Sequence, residues 1–346
     1  MSTSLNIALL GNPNTGKTSV FNQLTGLNQK VGNYPGITVE KKEGVCKLNR
    51  NTKAHIIDLP GTYSLNASSM DESLVIELLL NKNSKDFPDV AVVVTDVENL
   101  KRNLLLYTQV KDLGIPTLLV INMSDQMKRK GITLDIPLLE TKLDTRIALI
   151  STRESKGLDL LRALLINYRQ LSTKPTIELN SIDEDYFANL KKAFPNQQLY
   201  KLWLVITQDV NFAKIDRNKI SDSTDFKTQS EKHLKKMQQK ETVKRYQFIN
   251  NVLKETLVID RESATDLRSR LDRILIHKFW GYVIFFAILM TIFQSIFDWS
   301  SIPQDFIDTT FASMSEQVKT SLPKGVFTSL LAEGIIPGLG GIVIFI

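Results

Sequence analysis

Gly11-Asn12-Pro13-Asn14-Thr15-Gly16-Lys17-Thr18 is the stretch on which the fold turns. It follows the apolar run Ile7-Ala8-Leu9-Leu10 and leads into Ser19-Val20-Phe21-Asn22-Gln23-Leu24, which reads as helix. This is the spacing G-x-x-x-x-G-K-[ST] in the strand–loop–helix setting that a phosphate-binding loop requires. Glycine at Gly11 and Gly16 lets the backbone wrap close to a polyphosphate, where a Cβ would collide or demand a positive φ. The amides of the loop and the helix start, of Asn12 and from Asn14 through Thr15 to Ser19, then point at phosphate oxygens. Lys17 adds a point charge on the outer phosphates, and Thr18 offers a hydroxyl to Mg²⁺. A Gly-rich turn can carry this pattern by chance, but further nucleotide motifs follow in the right order.

Asp58-Leu59-Pro60-Gly61 closes the run His55-Ile56-Ile57. An acidic residue at the tip of a buried strand can hold Mg²⁺ through water, and Gly61 lets a backbone amide meet a γ-phosphate. Asn122-Met123-Ser124-Asp125 follows Leu118-Leu119-Val120-Ile121. The Asp125 carboxylate can accept both N1–H and N2–H₂ of guanine, a donor pair that adenine lacks; the bland alternative for Asn122 and Asp125 is a helix cap. Ser151-Thr152-Arg153, after Ala148-Leu149-Ile150, stands where a loop amide would meet the guanine O6. Between the first two motifs lies Val31-Gly32-Asn33-Tyr34-Pro35-Gly36-Ile37-Thr38-Val39-Glu40, whose Gly and Pro content marks a loop. Thr38, flanked by Gly36 and Ile37, can bring a second hydroxyl to Mg²⁺ and order the loop only when a γ-phosphate is present. A plain turn before a strand is the competing reading.

Many Ras-like GTPases place a glutamine directly after the Asp-x-x-Gly glycine to orient water. Here that residue is Thr62, so intrinsic hydrolysis is expected to be slow. Asn14 is the candidate to compensate, its amide oxygen holding a monovalent cation beside the β- and γ-phosphates; otherwise it caps its own loop. The candidate catalytic set is thus Lys17, Asn14, Thr38 and Gly61.

Around these motifs the first 172 residues alternate strand candidates (6–10, 44–48, 54–58, 90–95, 117–122, 147–151) with helices such as 72–80, 100–113 and 157–171. Such alternation argues for an α/β fold with a mostly parallel, doubly wound sheet. Ligands in such sheets bind at the carboxyl ends of the strands. The 346 residues exceed one ordinary core. The net charge of +6 suits a protein beside an anionic membrane surface. The single cysteine, Cys46, excludes an internal disulfide and reads as a buried strand thiol. The start Met1-Ser2-Thr3-Ser4 does not read as a signal peptide, so this domain is expected in the cytoplasm.

From 173 to 276 the texture becomes polar and helix-rich, read as a small, mostly surface helical domain. Lys235, Lys236 and Lys240 lack the aromatic groove that nucleic-acid binding would need, and nucleic acid is not expected as a partner. Residues 279–297 form an uncharged run long enough to span a bilayer. Arg268, Arg270, Arg273 and Lys278 before it put its start on the cytoplasmic side. A linker with Pro303, an amphipathic stretch 306–322 and a second apolar segment at 330–346 come next. That segment ends in mid-run, so further membrane segments are expected beyond it.

The combination resembles the ferrous iron transport protein B (FeoB) family. The resemblance lies in the phosphate loop with Phe21-Asn22 and Leu24-Thr25-Gly26, the stretch Val31 to Glu40, and Asp58-Leu59-Pro60-Gly61-Thr62-Tyr63-Ser64-Leu65. It continues in Asp96-Val97-Glu98-Asn99-Leu100-Lys101-Arg102-Asn103-Leu104, Asn122-Met123-Ser124-Asp125, residues 277–297, Glu333-Gly334-Ile335-Ile336 and 338–345. It implies a P-loop GTPase domain of Ras-like fold, a helical domain tuning GDP release, and a multi-pass domain in a bacterial inner membrane importing Fe²⁺. It also implies GTP or GDP as ligand, Mg²⁺ on Thr18, Thr38 and Asp58, and K⁺ on Asn14. The expected partners are Fe²⁺ as cargo, membrane lipid, a small cytoplasmic protein of the transport system and a second copy of the chain. Thr152-Arg153 departs from the family, where a small residue commonly follows the serine. A regulatory GTPase that moves no ion, RNA-associated or membrane-tethered, is the rival; the uncharged run 279–297 speaks against its soluble form.

Overall fold

The computed structural model describes residues 3–26, 29–34, 40–66, 70–208, 226–260, 271 and 274–344. In chain order they form β1 (Thr3–Gly11), α1 (Lys17–Thr25), β2 (Gln29–Asn33), β3 (Glu40–Lys47), β4 (Thr52–Asp58), α2 (Met70–Leu80) and β5 (Val90–Asp96). Then come α3 (Leu100–Asp112), β6 (Thr117–Asn122), α4 (Asp125–Lys130), β7 (Ile132–Leu134), α5 (Ile136–Leu143), β8 (Ile147–Leu149) and α6 (Leu158–Ile166). Helices α7 (Glu184–Ala193), α8 (Leu199–Thr207) and α9 (Glu231–Thr256) follow, and β9 (Leu257–Ile259) closes this part.

Seven strands share one sheet in the order β2-β3-β4-β1-β5-β6-β8, parallel from β4 through β8 and antiparallel at the β2-β3-β4 edge. Alternation along each central strand makes two apolar layers. Leu5, Ile7 and Leu9 of β1 join Val20, Phe21 and Leu24 of α1 and Leu161 and Leu165 of α6. Ala8 and Leu10 join Val75 and Leu79 of α2 and Leu104 and Tyr107 of α3. Cys46 is buried in β3, as predicted, and burial raises its thiol pKa despite the nearby Arg162.

The antiparallel edge corrects the sequence reading. Val31-Gly32-Asn33 are strand, not loop, and Glu40 opens β3 four residues ahead of the predicted start. All five β2 side chains are exposed, so no apolar alternation announced the strand, whose cause is backbone pairing to Glu40–Gly44. Residues 35–39, with Gly36, Ile37 and Thr38, lie outside the described residues. β7 and β9, antiparallel partners far apart in sequence, were not predicted either.

Nor is the helical stretch mostly surface. Phe187, Trp203, Met237, Ile249 and Val252 join the α2–α3 layer of the sheet. Residues 1–266 form one compact unit. Its polar centre is Arg245 of α9, fully buried, 2.8 Å from Asp112 of α3 and 2.8 Å from Glu241. Glu241 accepts the Trp203 indole N–H at 2.7 Å, and the Thr176 hydroxyl donates to Asp112 at 2.7 Å. Burial pushes the Asp112 carboxyl up, against the pull of Arg245 and Thr176. Removing one partner of a buried ion pair strands the others. Arg245→Met is therefore expected to destabilise this unit by about 3–5 kcal/mol, and neutralising all three groups (Arg245→Met with Asp112→Asn and Glu241→Gln) to recover most of the loss. Urea unfolding of residues 1–266 checks both; equal destabilisation by the two would contradict it.

Residues 267–346 form a second unit. Helix Trp280–Gln294 passes through a π turn, Ser295–Trp299, into helix Ser301–Ser321, a continuous run of 42 residues. The expected linker at Pro303 is absent. Pro303 lies inside this run, just after the π turn, where its missing N–H interrupts the helical ladder. At 1.5 Å per residue this run measures about 63 Å, so only part of it matches a hydrocarbon core of about 30 Å. Val326–Ile344 is the second helix long and apolar enough to cross a membrane. It packs on Ser301–Ser321 with Gly340 against Phe311, where an added Cβ would lie 3.0 Å from the ring, and through Lys319–Glu333 at 3.1 Å.

Candidate functional site

The strand register brings the motifs to one edge. Leu9 pairs with Asp58, Gly11 with Val94 and Asp96 with Asn122, so β1, β4, β5 and β6 present their carboxyl ends together. The phosphate loop leaves β1 with Asn14 at φ 68° and Gly16 at φ 81°, both left-handed. The Thr15 hydroxyl donates to the Asn12 carbonyl at 2.9 Å and pins the turn. Asn12 is buried, and both atoms of its carboxamide lack a partner among the described residues. The Asn14 side chain is exposed and has no hydrogen-bond partner among the described residues, so the self-capping alternative is not found.

The Lys17 ammonium is paired with the Asp58 carboxylate, and the Thr18 hydroxyl donates to the other Asp58 oxygen at 3.3 Å. These hard oxygens fit Mg²⁺, and the ammonium fits a phosphate. The segment after Asp58 lies against the loop. The Leu59 N–H donates to the Leu9 carbonyl at 3.1 Å and the Thr62 N–H to that of Gly11 at 3.2 Å. Gly61 sits on Pro13, where a Cβ would come within 3.2 Å. The Leu59 side chain belongs to the core, and Pro60 is half-buried beside it.

Asn122 turns out to be a clamp as well as a base-reading candidate. Its amide donates to the Thr15 carbonyl at 3.0 Å, while its oxygen accepts the Thr152 N–H at 3.1 Å and the Thr152 hydroxyl at 3.3 Å. A Cβ on Gly16 would stand 2.3 Å from the Asn122 amide nitrogen, so glycine is needed there for this clamp as well as for its φ. Met123 takes φ 64° and sends Asp125 into the first turn of α4. The buried Ser151 hydroxyl donates to Asp125 at 2.7 Å and accepts the Glu154 N–H at 3.2 Å. Gln23 of α1 reaches the Thr152 carbonyl at 3.3 Å and the Ser155 hydroxyl at 3.4 Å. A cleft of about 480 Å³ opens between Ser19, Asn22, Gln23, Thr152 and Arg153. Motif spacing had no means of finding Gln23, because its role exists only once α1 meets the 151–155 loop. At the edge of the undescribed 35–39 stretch, burial first, then Asp86, Asp58 and Glu43, pushes the Tyr34 phenol up and keeps it neutral.

A mostly parallel sheet whose first strand runs through a phosphate loop into its first helix, with Asp58 facing that loop from a neighbouring strand tip, has the fold of a P-loop GTPase domain. Residues 5–165 match the ferrous iron transport protein B family. The Fe(2+) transporter FeoB of Leptospira biflexa is 34% identical over 99% of this chain and 50% of its own length. A Fe(2+) transport protein A/FeoB fusion protein of Porphyromonas gingivalis is 32% identical over 99% of this chain and 42% of its own length. The cytosolic domain of the T. maritima FeoB iron transporter in apo form superposes with TM-score 0.65 at 27% identity, covering 74% of this chain and 100% of that one. Its GDP and GMPPNP forms superpose at 0.64. The chain belongs to the ferrous iron transport protein B family, and it spans about half the length of the curated relatives it matches.

Proposed function

We propose that this chain is the GTP-binding and GTP-hydrolysing part, with the first membrane segments, of a bacterial inner-membrane Fe²⁺ transporter. Residues 1–172 bind the nucleotide, 173–276 regulate its release, and 277–346 begin a multi-pass membrane domain whose amino-terminal side faces the cytoplasm. The observation that carries this is the meeting of Lys17, Thr18 and Asp58 at the same sheet edge as Asn122, Asp125 and Ser151. Lys17 and the backbone amides of the loop Gly11 to Ser19, Pro13 excepted because it has no N–H, hold the phosphates. Thr18, Thr38 and, through water, Asp58 hold Mg²⁺, and the Gly61 amide meets the γ-phosphate. Asp125 reads guanine. Because the Thr152 N–H is already bonded to Asn122, the neighbouring Arg153 amide, without a protein partner among the described residues, is the donor for O6. GTP with Mg²⁺ orders the loop around Thr38, and hydrolysis releases it.

Fe²⁺ uptake into vesicles by the full-length protein, with GTP on the G-domain side and other divalent ions compared, tests the reading. GTP-independent uptake, or none, would overturn it. The relative fused to transport protein A supports a small cytoplasmic partner, and self-association is expected in the membrane. The free Asn14 carboxamide supports a K⁺ site. GTP turnover is expected to rise by about tenfold in K⁺ over Na⁺, as one added transition-state charge contact would give, and Asn14→Ala to remove the difference. Equal turnover in both salts would leave Asn14 a structural residue.

A further inference from the structure

One turn of helix α3 carries several buried polar side chains, among them Gln109, Lys111 and Asp112. Gln109 is fully buried, beside Leu104, Leu106 and Tyr107 of the same helix. Its side-chain oxygen accepts the Leu65 N–H at 2.8 Å, while its amide nitrogen has no partner among the described residues. Leu65 stands four residues past Gly61, in a segment also held by Arg102 of α3 stacked on Tyr63 at 4.0 Å. Three residues beyond Gln109, Asp112 meets Arg245 of α9 at 2.8 Å. Residues i and i+3 share a helix face, so one turn of α3 touches the segment following Gly61 and the buried ion cluster of α9.

A buried carboxamide with an idle N–H₂ is a costly substitute for leucine at such a place. It makes sense where the segment it holds has two positions and the second uses the other half of the amide. We infer that Gln109 is a positioning residue for the 61–66 segment, and that Arg245 sets its stance through α3. The inference rests on the reading of Gly61 as the group that meets the γ-phosphate. Nucleotide state at the phosphate loop and packing of α9 then bias the same helix. Neither Gln109 nor Arg245 belongs to the motifs assigned to the nucleotide.

The test uses the full chain in detergent and reads GTP turnover together with amide hydrogen exchange. Gln109→Met keeps the volume and removes the acceptor. It is expected to lower kcat about fivefold, the worth of one neutral hydrogen bond, with KM for GTP nearly unchanged, and to speed Leu65 exchange by a similar factor. The neutral cluster (Arg245→Met, Asp112→Asn, Glu241→Gln) keeps α9 packed, and is expected to speed Leu65 exchange and lower kcat by about threefold. Unchanged kcat and Leu65 exchange in Gln109→Met would overturn the positioning role. Unchanged Leu65 exchange in the neutral cluster would overturn the link to α9. Should the unaltered chain bind no GTP, the proposed function falls, and Leu65 exchange in the nucleotide-free variants still decides this inference.

Discussion

Lys17→Ala in the full-length protein is expected to lower GTP affinity about 100-fold or more and to reduce GTP-dependent Fe²⁺ uptake to background, since truncating one partner of a desolvated charge pair costs about 2–5 kcal/mol. Two losses coincide at this residue. The outer phosphates lose their point charge, and Asp58, whose side chain is 4% exposed, loses the ammonium that faces it. An uncompensated carboxylate at that depth also disturbs the end of β4, where Asp58 closes the pairing with Leu9 and Lys42. Asp58→Asn in the same background removes the stranded charge together with a Mg²⁺ partner, so it is expected to recover stability in urea unfolding and not GTP affinity. Affinity by titration with a GTP analogue and uptake by vesicle assay check the expectation, and undiminished uptake would sink it.

Asp125→Asn is expected to exchange the base that the site prefers. A carboxylate offers only acceptors and suits the two donors of guanine. An asparagine offers one acceptor and one donor and suits xanthine, which presents N1–H beside a carbonyl. A site built to hydrogen-bond its ligand rejects a mismatched one strongly, and GTP affinity is expected to fall by about 10³-fold with xanthosine triphosphate gaining. The loop itself should survive, because the Ser151 hydroxyl that donates to Asp125 at 2.7 Å finds an acceptor in the asparagine oxygen as well. Competition among GTP, xanthosine triphosphate and ATP is the measurement; an unaltered preference for GTP would remove Asp125 from base recognition.

Much of the phosphate side was legible in the residues, because its chemistry is local. Gly11, Gly16, Lys17 and Thr18 act within one loop whose backbone they shape themselves, and the order of motifs placed Asp58 and Asn122 at strand ends, where they are found. β2 was not legible, since its five side chains are all exposed and only its backbone is paired. The second duty of Asn122 was hidden for a related reason. Its partners, Thr15 and Thr152, lie 107 and 30 residues away and meet it only when β1, β5, β6 and β8 line up in one sheet. Nothing in the lysine-rich stretch singled out Arg245, which is buried against Asp112 of α3.

By itself the sequence determined the class of fold, the nucleotide motifs and the apolar runs that can enter a membrane. Spacing along the chain is enough for these, because glycine freedom, helix starts and uninterrupted hydrophobicity are properties of neighbouring residues. Only the tertiary structure decided that Gly16 must leave room for Asn122, that Gln109 holds Leu65, and that α9 closes on α3 through a buried ion cluster. Those facts depend on distance and burial between segments remote in sequence, and no local pattern encodes which polar side chain will lose its solvent.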